Sequence, residues 1–193
     1  MAKAQLASAV LGLSLVLGTA QAATPVSTES EGELRQELQQ AVWPADIVRL
    51  ADQYLSRYPS GAWAGSASTL RERAGMTMVV LKRNDVRLYR SAFQPATDAT
   101  AVQADLRRAA LGESEAAVRL AHLHQRGDAG LAQDMNRYVG WLQYAAMLGD
   151  DRASYELALH FRREAQPVLA AKYEARAIEL GFTPPRDLDH FRK

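Results

Sequence analysis

The sequence predicts an all-α protein in which antiparallel helix pairs form an α/α solenoid. Three observations support this prediction. Helix-forming residues dominate after residue 31, apolar residues recur at steps of three and four, and the C-terminal half repeats itself at an offset of 37 residues. Fixed-period similarity in the mid-thirties is typical of stacked helical pairs. We therefore expect helices throughout the folded part of the chain.

The first 22 residues match a secretory signal peptide. A short positive start is followed by an uncharged run of 13 residues, 6–18, and then by Ala20 and Ala22 at the two positions that a signal peptidase recognises. Signal peptides carry an apolar region of about 7–15 residues, whereas a membrane span needs about 20. We expect cleavage after Ala22, with Ala23 as the alternative. The mature chain would then be periplasmic or secreted and would have no transmembrane anchor.

The composition excludes several classes of function. The chain holds 23 basic and 22 acidic residues, and Lys3 is the single charged residue in the predicted leader, so the mature chain is formally neutral. A neutral chain with interspersed charges lacks the basic face that nucleic acid requires. The absence of cysteine excludes disulfides and a lipid-modified N-terminus. Stability must therefore come from core packing.

The N-terminal half predicts a flexible tether followed by short helices. Residues 23–31 (ATPVSTESE) form the tether, and a short helix then carries Leu34, Leu38 and Val42. Pro44 suits the first turn of the second helix. The apolar stripe of that helix is Ile47, Leu50, Ala51, Tyr54 and Leu55. A third helix follows the break at residues 58–61, with Trp63, Ala67, Leu70 and Ala74 at helical spacing.

The next two segments connect the halves of the chain. Residues 76–81 (MTMVVL) fit a buried strand or a continuing helix, and helical neighbours without a partner strand favour the helix. We expect Asn84 and Asp85 to cap a further helix. That helix would carry Val86, Leu88, Tyr89 and Phe93. Residues 95–100 are predicted to form a loop at the boundary between the two halves.

Residues 50–70 resemble a helix–turn–helix unit of the tetratricopeptide type, as found in several bacterial envelope proteins. One helix ends in Tyr58-Pro59, Ser60 caps the next, and the small Ala67 lies where two helices must approach. The unit occurs once. We assign residues 32–98 to a tetratricopeptide-like N-terminal region and residues 99–193 to a second helical region.

The second region contains the repeat. At an offset of 37 residues, seven of 18 positions are identical, and a third partial copy follows at an offset of 32. Gly112, Gly149 and Gly181 each follow a helical run, where a left-handed C-cap favours glycine. Carboxylates after the first two glycines suit the positive N-terminus of the next helix. The matched positions are Ala109/Ala146, Leu111/Leu148, Gly112/Gly149, Ala116/Ala153, Leu120/Leu157, Ala121/Ala158 and Arg126/Arg163.

This pattern is similar to that of the Sel1-like repeat family, a relative of the tetratricopeptide proteins. The resemblance covers about residues 104–182 and implies an α-solenoid that binds other proteins. Three departures affect turns or packing: Tyr138 replaces the alanine that the family prefers, the turn at residues 127–130 is one residue longer, and residues 164–167 replace the second turn. The motif is carried by Ala109, Gly112, Ala116, Leu120, Ala121, Gly127, Gly130, Asp134, Arg137, Trp141, Ala145, Ala146 and Gly149.

The sequence offers no catalytic or metal-binding constellation. On a helix, His122 and His124 face opposite sides, so the two rings cannot bind one ion. His124 occupies the position of an aromatic ring in the repeat, and we expect it to be buried with its polar edge bonded. Nucleophile, zincin and phosphate-loop motifs are absent, and the carboxylate pairs stand at predicted helix starts. We therefore expect neither an enzyme nor a bound cofactor or metal.

We expect an adaptor or scaffold that binds another protein or a peptide segment in the bacterial cell envelope. The first helices of the pairs would line a concave face. One alternative is a structural part of an envelope or polysaccharide-export assembly. A peptidoglycan- or β-lactam-related hydrolase is the least favoured, because such members of the family rely on cysteine pairs. The predicted partner-binding residues are Arg119, His122, Arg126, Tyr155 and Arg163.

Overall fold

The computed structural model describes residues 30–94 and 100–184, and these residues fold into eight α-helices. Consecutive helices pack in antiparallel-like pairs from α1 to α3 and from α4 to α8, and α3 also contacts α6. The all-α class is confirmed, whereas the predicted signal peptide and most of the tether and of the loop at 95–100 lie outside the described residues. The helices are α1 Glu31–Gln40, α2 Pro44–Arg57, α3 Ala64–Leu81, α4 Thr100–Ala110, α5 Ser114–Arg126, α6 Met135–Met147, α7 Asp151–Arg163 and α8 Pro167–Glu179.

Side chains at the helix starts supply acceptors for free backbone N–H groups. Ser30 and Glu33 form a reciprocal capping box at the start of α1, which begins at the last residue of the predicted tether. Asp150 accepts from the backbone N–H of Ala153 at 2.8 Å and so caps α7, as the sequence predicts. These caps fix the helix boundaries locally.

The repeat glycines end their helices in the left-handed conformation. Gly112, Gly149 and Gly181 have φ angles of 87°, 100° and 100°, which confirms the predicted C-caps. At Gly112, an added Cβ would also lie 3.2 Å from Cγ2 of Thr77 on α3. Conformation and close packing therefore both favour glycine at the turn between α4 and α5.

Residues 76–81 continue α3, as predicted, but the helix predicted after Asn84 is wrong. Residues 86–89 are extended, and only a short 3₁₀ helix, Arg90–Phe93, follows them. Val86 and Leu88 are buried while Arg87 and Tyr89 are exposed, which is the alternation of an extended chain. This segment runs across α6, where it finds packing partners that a local sequence pattern does not reveal.

Two side chains join the end of α4 to α3 and α6. The Tyr144 hydroxyl donates to the carbonyl of Ala109 at 2.7 Å, and the Thr77 hydroxyl donates to the carbonyl of Ala110 at 2.8 Å. The last carbonyls of a helix lack partners within the helix. These two hydrogen bonds therefore supply donors to carbonyl groups at the end of α4 and hold that end against α3 and α6.

An aromatic cluster also connects the halves. The ring of Phe93 is fully buried and lies 5.1 Å from the ring of Trp43 and 4.8 Å from that of Trp141. Trp141 and Tyr173, the predicted core residues of the repeat, are both buried. The core is thus continuous from α2 to α8 through the short 3₁₀ helix.

Candidate partner-binding site

The five predicted binding residues lie on α5 and α7, the first helices of the two C-terminal pairs. Arg119, His122 and Arg126 lie on α5, and Tyr155 and Arg163 lie on α7. A contact between His122 and α7 joins the two helices. The structure therefore places the predicted residues on neighbouring elements, but most of their polar groups are already bonded within the chain.

Arg119 is tied to the preceding helix. Its Nε and Nη2 donate to Oδ1 of Asp105 on α4 at 3.1 and 2.8 Å. The hydrogen bond to Asp105 raises the pKa of the guanidinium. Although its side chain is partly exposed, a partner that bound Arg119 would compete with this ion pair.

His122 belongs to a polar cluster between α5 and α7. Its Nε2 lies 2.9 Å from Oε1 and 3.0 Å from Oε2 of Glu156, and the Tyr138 hydroxyl donates to the same Oε1 at 2.9 Å. Burial, and then the Glu156 carboxylate, raises the pKa of Tyr138, so the phenol keeps its proton and serves as a donor. The cluster holds α5, α6 and α7 together.

The other three predicted residues differ in exposure. Tyr155 is nearly buried, because its ring stacks on Phe182 at 4.5 Å between centroids. Arg126 pairs with Asp128 in the turn after α5 and remains mostly exposed. Arg163 is exposed at the end of α7, near Tyr138. Arg126 and Arg163 are thus the predicted residues with the most accessible charge.

His124 is buried and bonded, as the sequence predicts. Its Nδ1 lies 3.3 Å from the carbonyl oxygen of Ala132, which requires the neutral ring to carry its proton on Nδ1. Burial lowers the pKa of this histidine. His124 is therefore a core residue and not part of a binding surface. In the part of the chain that the structure describes, no three histidine or carboxylate side chains are grouped as metal ligands.

The structure also contains a groove that the sequence does not predict. It has a volume of about 850 Å³ and runs between α6, the end of α7, the start of α8 and residues 84–89. We call it the α6–α8 groove. Tyr89 and Met135 lie at its rim with 72% and 44% of their surface exposed. Its apolar lining is Tyr89, Met135, Val139, Phe161, Leu169 and Tyr173.

Residues 84–89 form one wall of the groove and are held by α6 and α8. Gln143 of α6 accepts the backbone N–H of Arg87 at 2.9 Å. The Arg87 carbonyl lies so close to Gly140 that a Cβ there would be 2.5 Å from the oxygen. On the α8 side, the Tyr173 hydroxyl donates to the Asp85 carbonyl at 3.4 Å. This wall is thus fixed by contacts to two helices.

The polar groups of the groove carry both signs of charge. Burial raises the pKa of Asp85, but hydrogen bonds from Arg83 and Lys172 outweigh it, so this pKa is lowered and the carboxylate stays ionised. Burial lowers the pKa of His160. Arg87 and Glu164 add an exposed cation and an exposed anion. The groove therefore suits a mixed segment with an apolar anchor better than a strongly charged ligand.

One signal in the sequence of α6 could have revealed the groove wall. Residues 138 and 140–146 are buried on every side of this helix, with Trp141, Tyr144 and Gln143 among them. A helix that is buried all round must be covered by other chain segments on each face. Gly140 in the middle of this helix marks the place where the Arg87 backbone approaches.

Comparison with known proteins identifies no relative: no family model matches the chain, and no curated protein or solved structure matches it. Within residues 30–94 and 100–184, no helix has both the length and the apolar character that crossing a membrane requires.

Proposed function

We propose that this chain is an adaptor of the bacterial cell envelope that binds a segment of another protein in the α6–α8 groove. In this proposal, residues 99–193 form Sel1-like repeats stacked on a tetratricopeptide-like N-terminal region. The repeat pattern and the packing of consecutive helices support it. The predicted signal peptide supports a periplasmic or secreted location.

The observation that carries the proposal is the groove with its exposed apolar rim. Ligand-binding clefts have volumes of about 300–1,000 Å³ and combine an apolar lining with a few polar groups. The α6–α8 groove matches this size, and Tyr89 and Met135 are available to a partner's apolar side chain. Aromatic residues and methionine are enriched where proteins bind each other.

We favour the groove over the predicted face on α5 and α7, because side chains of that face already make contacts within the chain. Arg119, His122 and Tyr155 engage Asp105, Glu156 and Phe182 within the chain. A partner at that face would first have to break these contacts. We keep Arg126 and Arg163 as a second candidate contact, since both side chains are accessible.

Affinity capture from the envelope fraction tests the site. We expect Met135→Asp to abolish capture of a partner that mass spectrometry identifies with the unaltered chain. Val79→Asp is the matched control, since Val79 is 69% exposed on α3 and lies outside the groove. Loss of the partner with Arg126→Ala/Arg163→Ala, and not with Met135→Asp, would move the site to α5 and α7. Failure of the unaltered chain to hold any protein would refute the adaptor.

Cell fractionation tests the location separately. The full chain, expressed in a bacterium with its own leader, should be recovered outside the cytoplasm and should begin at Ala23 or Thr24. A variant with Leu13→Arg interrupts the apolar run of residues 6–18 and should stay in the cytoplasm. Export of this variant, or cytoplasmic retention of the unaltered chain, would contradict the predicted signal peptide.

A further inference from the structure

Two charged side chains of the α6–α8 groove have no ion-pair partner in the part of the chain that the structure describes. They are Arg87 and Glu164, which both line the groove and are both exposed. The backbone N–H of Arg87 is bonded to Gln143, but within residues 30–94 and 100–184 neither its guanidinium nor the Glu164 carboxylate makes a hydrogen bond or an ion pair. Both charges are therefore available to a ligand.

The remaining charged side chains of the groove are paired with each other. Nζ of Lys172 lies 3.3 Å from Oδ2 of Asp85, and Nε of Arg83, which lies outside the groove, donates to Oδ1 of the same carboxylate at 3.1 Å. Burial lowers the pKa of His160, so this ring is neutral near pH 7. The two unpaired charges therefore determine which signs a bound segment meets without a competing partner.

The two unpaired charges lie on different walls of the groove. Arg87 belongs to the extended segment that crosses α6 at Gly140. Glu164 directly follows α7, whose last residues lie against the first turns of α6. Val139 and Met135 line the groove from the level of Gly140 toward the start of α6. Apolar side chains thus line α6 over the stretch from one charge to the other.

We propose that the groove selects a partner segment in which an acidic residue and a basic residue flank an apolar anchor. The acidic residue pairs with Arg87, the basic residue pairs with Glu164, and the anchor contacts Met135 and Val139. A segment with two like charges meets one attraction and one repulsion, and like charges brought together at an interface oppose binding. This inference rests on the proposed function, since it names the chemistry of the partner at the same site.

The expected selectivity is modest, because both side chains are exposed. An exposed ion pair changes an affinity by about 1.5- to 5-fold. Arg87 and Glu164 therefore discriminate among segments, whereas the apolar anchor supplies most of the affinity. Salt screens exposed charges, so the selectivity should fall at about 1 M salt while the anchor still binds.

Fluorescence anisotropy with four synthetic peptides tests the proposal at about 0.15 M salt. The peptides share a leucine–phenylalanine anchor in a glycine–serine background. Their two flanking residues are aspartate and lysine, lysine and aspartate, two aspartates, or two lysines. We expect one of the two mixed peptides to bind the full chain about two- to five-fold more tightly than either peptide with like charges. Met135→Asp should weaken the binding of all four peptides, which would locate them in the groove.

Charge reversal at each position provides the decisive comparison. Arg87→Glu leaves two unpaired anions in the groove and should make the peptide with two lysines the tightest ligand. Glu164→Arg leaves two unpaired cations and should favour the peptide with two aspartates. Opposite changes of preference cannot come from a loss of folding, which would weaken all four peptides alike. Arg152→Glu is the matched control: it reverses an exposed charge of α7 outside the groove and should keep the preference for the mixed peptide.

Three results would overturn this inference. They are binding without a preference for a mixed peptide, a preference that both reversals leave unchanged, and no binding of any peptide up to about 1 mM. The adaptor proposal fails on other results, namely that the unaltered chain captures no protein or that capture is insensitive to Met135→Asp. A partner that is captured through the groove, together with peptides that show no charge preference, would refute the charge selection alone.

Discussion

His124 occupies the repeat position at which the next copy carries Phe161, and its ring is buried like an aromatic ring. Burial lowers its pKa, so the unfolded chain binds a proton more readily than the folded chain. The free energy of unfolding should therefore fall as the pH falls from about 7 to about 5, through the usual histidine pKa. His160, whose pKa is also lowered by burial, contributes with the same sign.

Urea denaturation at several pH values measures this dependence. His124→Phe keeps a ring in the core but cannot be protonated, so its unfolding free energy should change less between pH 7 and pH 5. The comparison uses slopes and not absolute stability, because the variant also loses the bond to Ala132. Equal slopes for the two proteins would show that His124 is protonated as easily in the folded chain as in the unfolded one.

Gly140 is required by the backbone that crosses it. In Gly140→Ala the new Cβ would lie 2.5 Å from the Arg87 carbonyl oxygen, and backbone atoms cannot move aside as a flexible side chain can. We expect a loss of about 1–3 kcal/mol in the free energy of unfolding, the usual cost of overpacking. Partner capture in the groove should weaken as well, since residues 84–89 form its wall.

Gly75→Ala is the matched control for this substitution. Gly75 also lies inside a helix, but an added Cβ there meets no atom within 4 Å. Alanine has the higher helix propensity, so this variant should be more stable by about 0.5–1 kcal/mol. If thermal unfolding showed the same change in stability for both variants, the close contact at Gly140 would not contribute to the free energy of unfolding.

At the scale of elements, the cluster around Glu156 holds α5, α6 and α7 together. Glu156→Ala would remove the acceptor of the fully buried Tyr138 and the partner of His122. A buried hydroxyl without a partner costs about 1–3 kcal/mol, and we expect chemical denaturation to show a loss of that size. Glu156→Gln keeps an oxygen acceptor and should lose clearly less. Similar losses in both variants would assign the effect to charge and not to the bond of Tyr138.

The helices could be predicted from the sequence because their information is local. The apolar spacing of Ile47, Leu50 and Tyr54, the Pro44 start and the repeat glycines each act within a few residues, and each is confirmed. Residues 84–89 could not be predicted in this way. Their conformation depends on Gln143 and Gly140, more than 50 residues away in sequence.

In the candidate site, too, features encoded by nearby residues could be predicted and features that depend on distant residues could not. The burial of His124 was predictable, since its repeat position calls for a ring. The engagement of Arg119 and His122 within the chain was not, because their hydrogen-bond partners lie on α4 and α7. The α6–α8 groove depends on how an extended segment packs against helices. The apolar character of α6 and its Gly140 indicate that some segment covers this helix, but not which one.

At the scale of the molecule, Phe93 connects the two halves of the core. Phe93→Ala would remove the ring between Trp43 and Trp141, at a cost of about 3–5 kcal/mol for a buried phenylalanine. We expect the unaltered chain to unfold in one transition, with circular dichroism and tryptophan fluorescence coinciding. In Phe93→Ala the two signals should separate, because Trp43 and Trp141 no longer share a neighbour.

Tyr89→Ala provides the comparison for this experiment. Tyr89 lies four residues before Phe93, but its ring is largely exposed, so its loss should leave the coincidence of the two signals intact. Separate transitions in the unaltered chain would mean that the halves unfold independently. Coincident signals in Phe93→Ala would mean that other contacts, such as that of α3 with α6, are sufficient to couple them.

The bonds of Arg107 impose an order on the completion of the fold during synthesis. Its guanidinium donates to the carbonyls of Leu38 at 2.9 Å and Ala41 at 2.7 Å, at the end of the first helix. A growing chain exposes that helix long before residue 107 leaves the ribosome. The hydrogen bond between Asp85 and Tyr173 can form only after a further stretch of chain has been synthesised. The N-terminal helices therefore depend on residues made much later, and a chain interrupted before α4 would present an unfinished surface to chaperones and proteases.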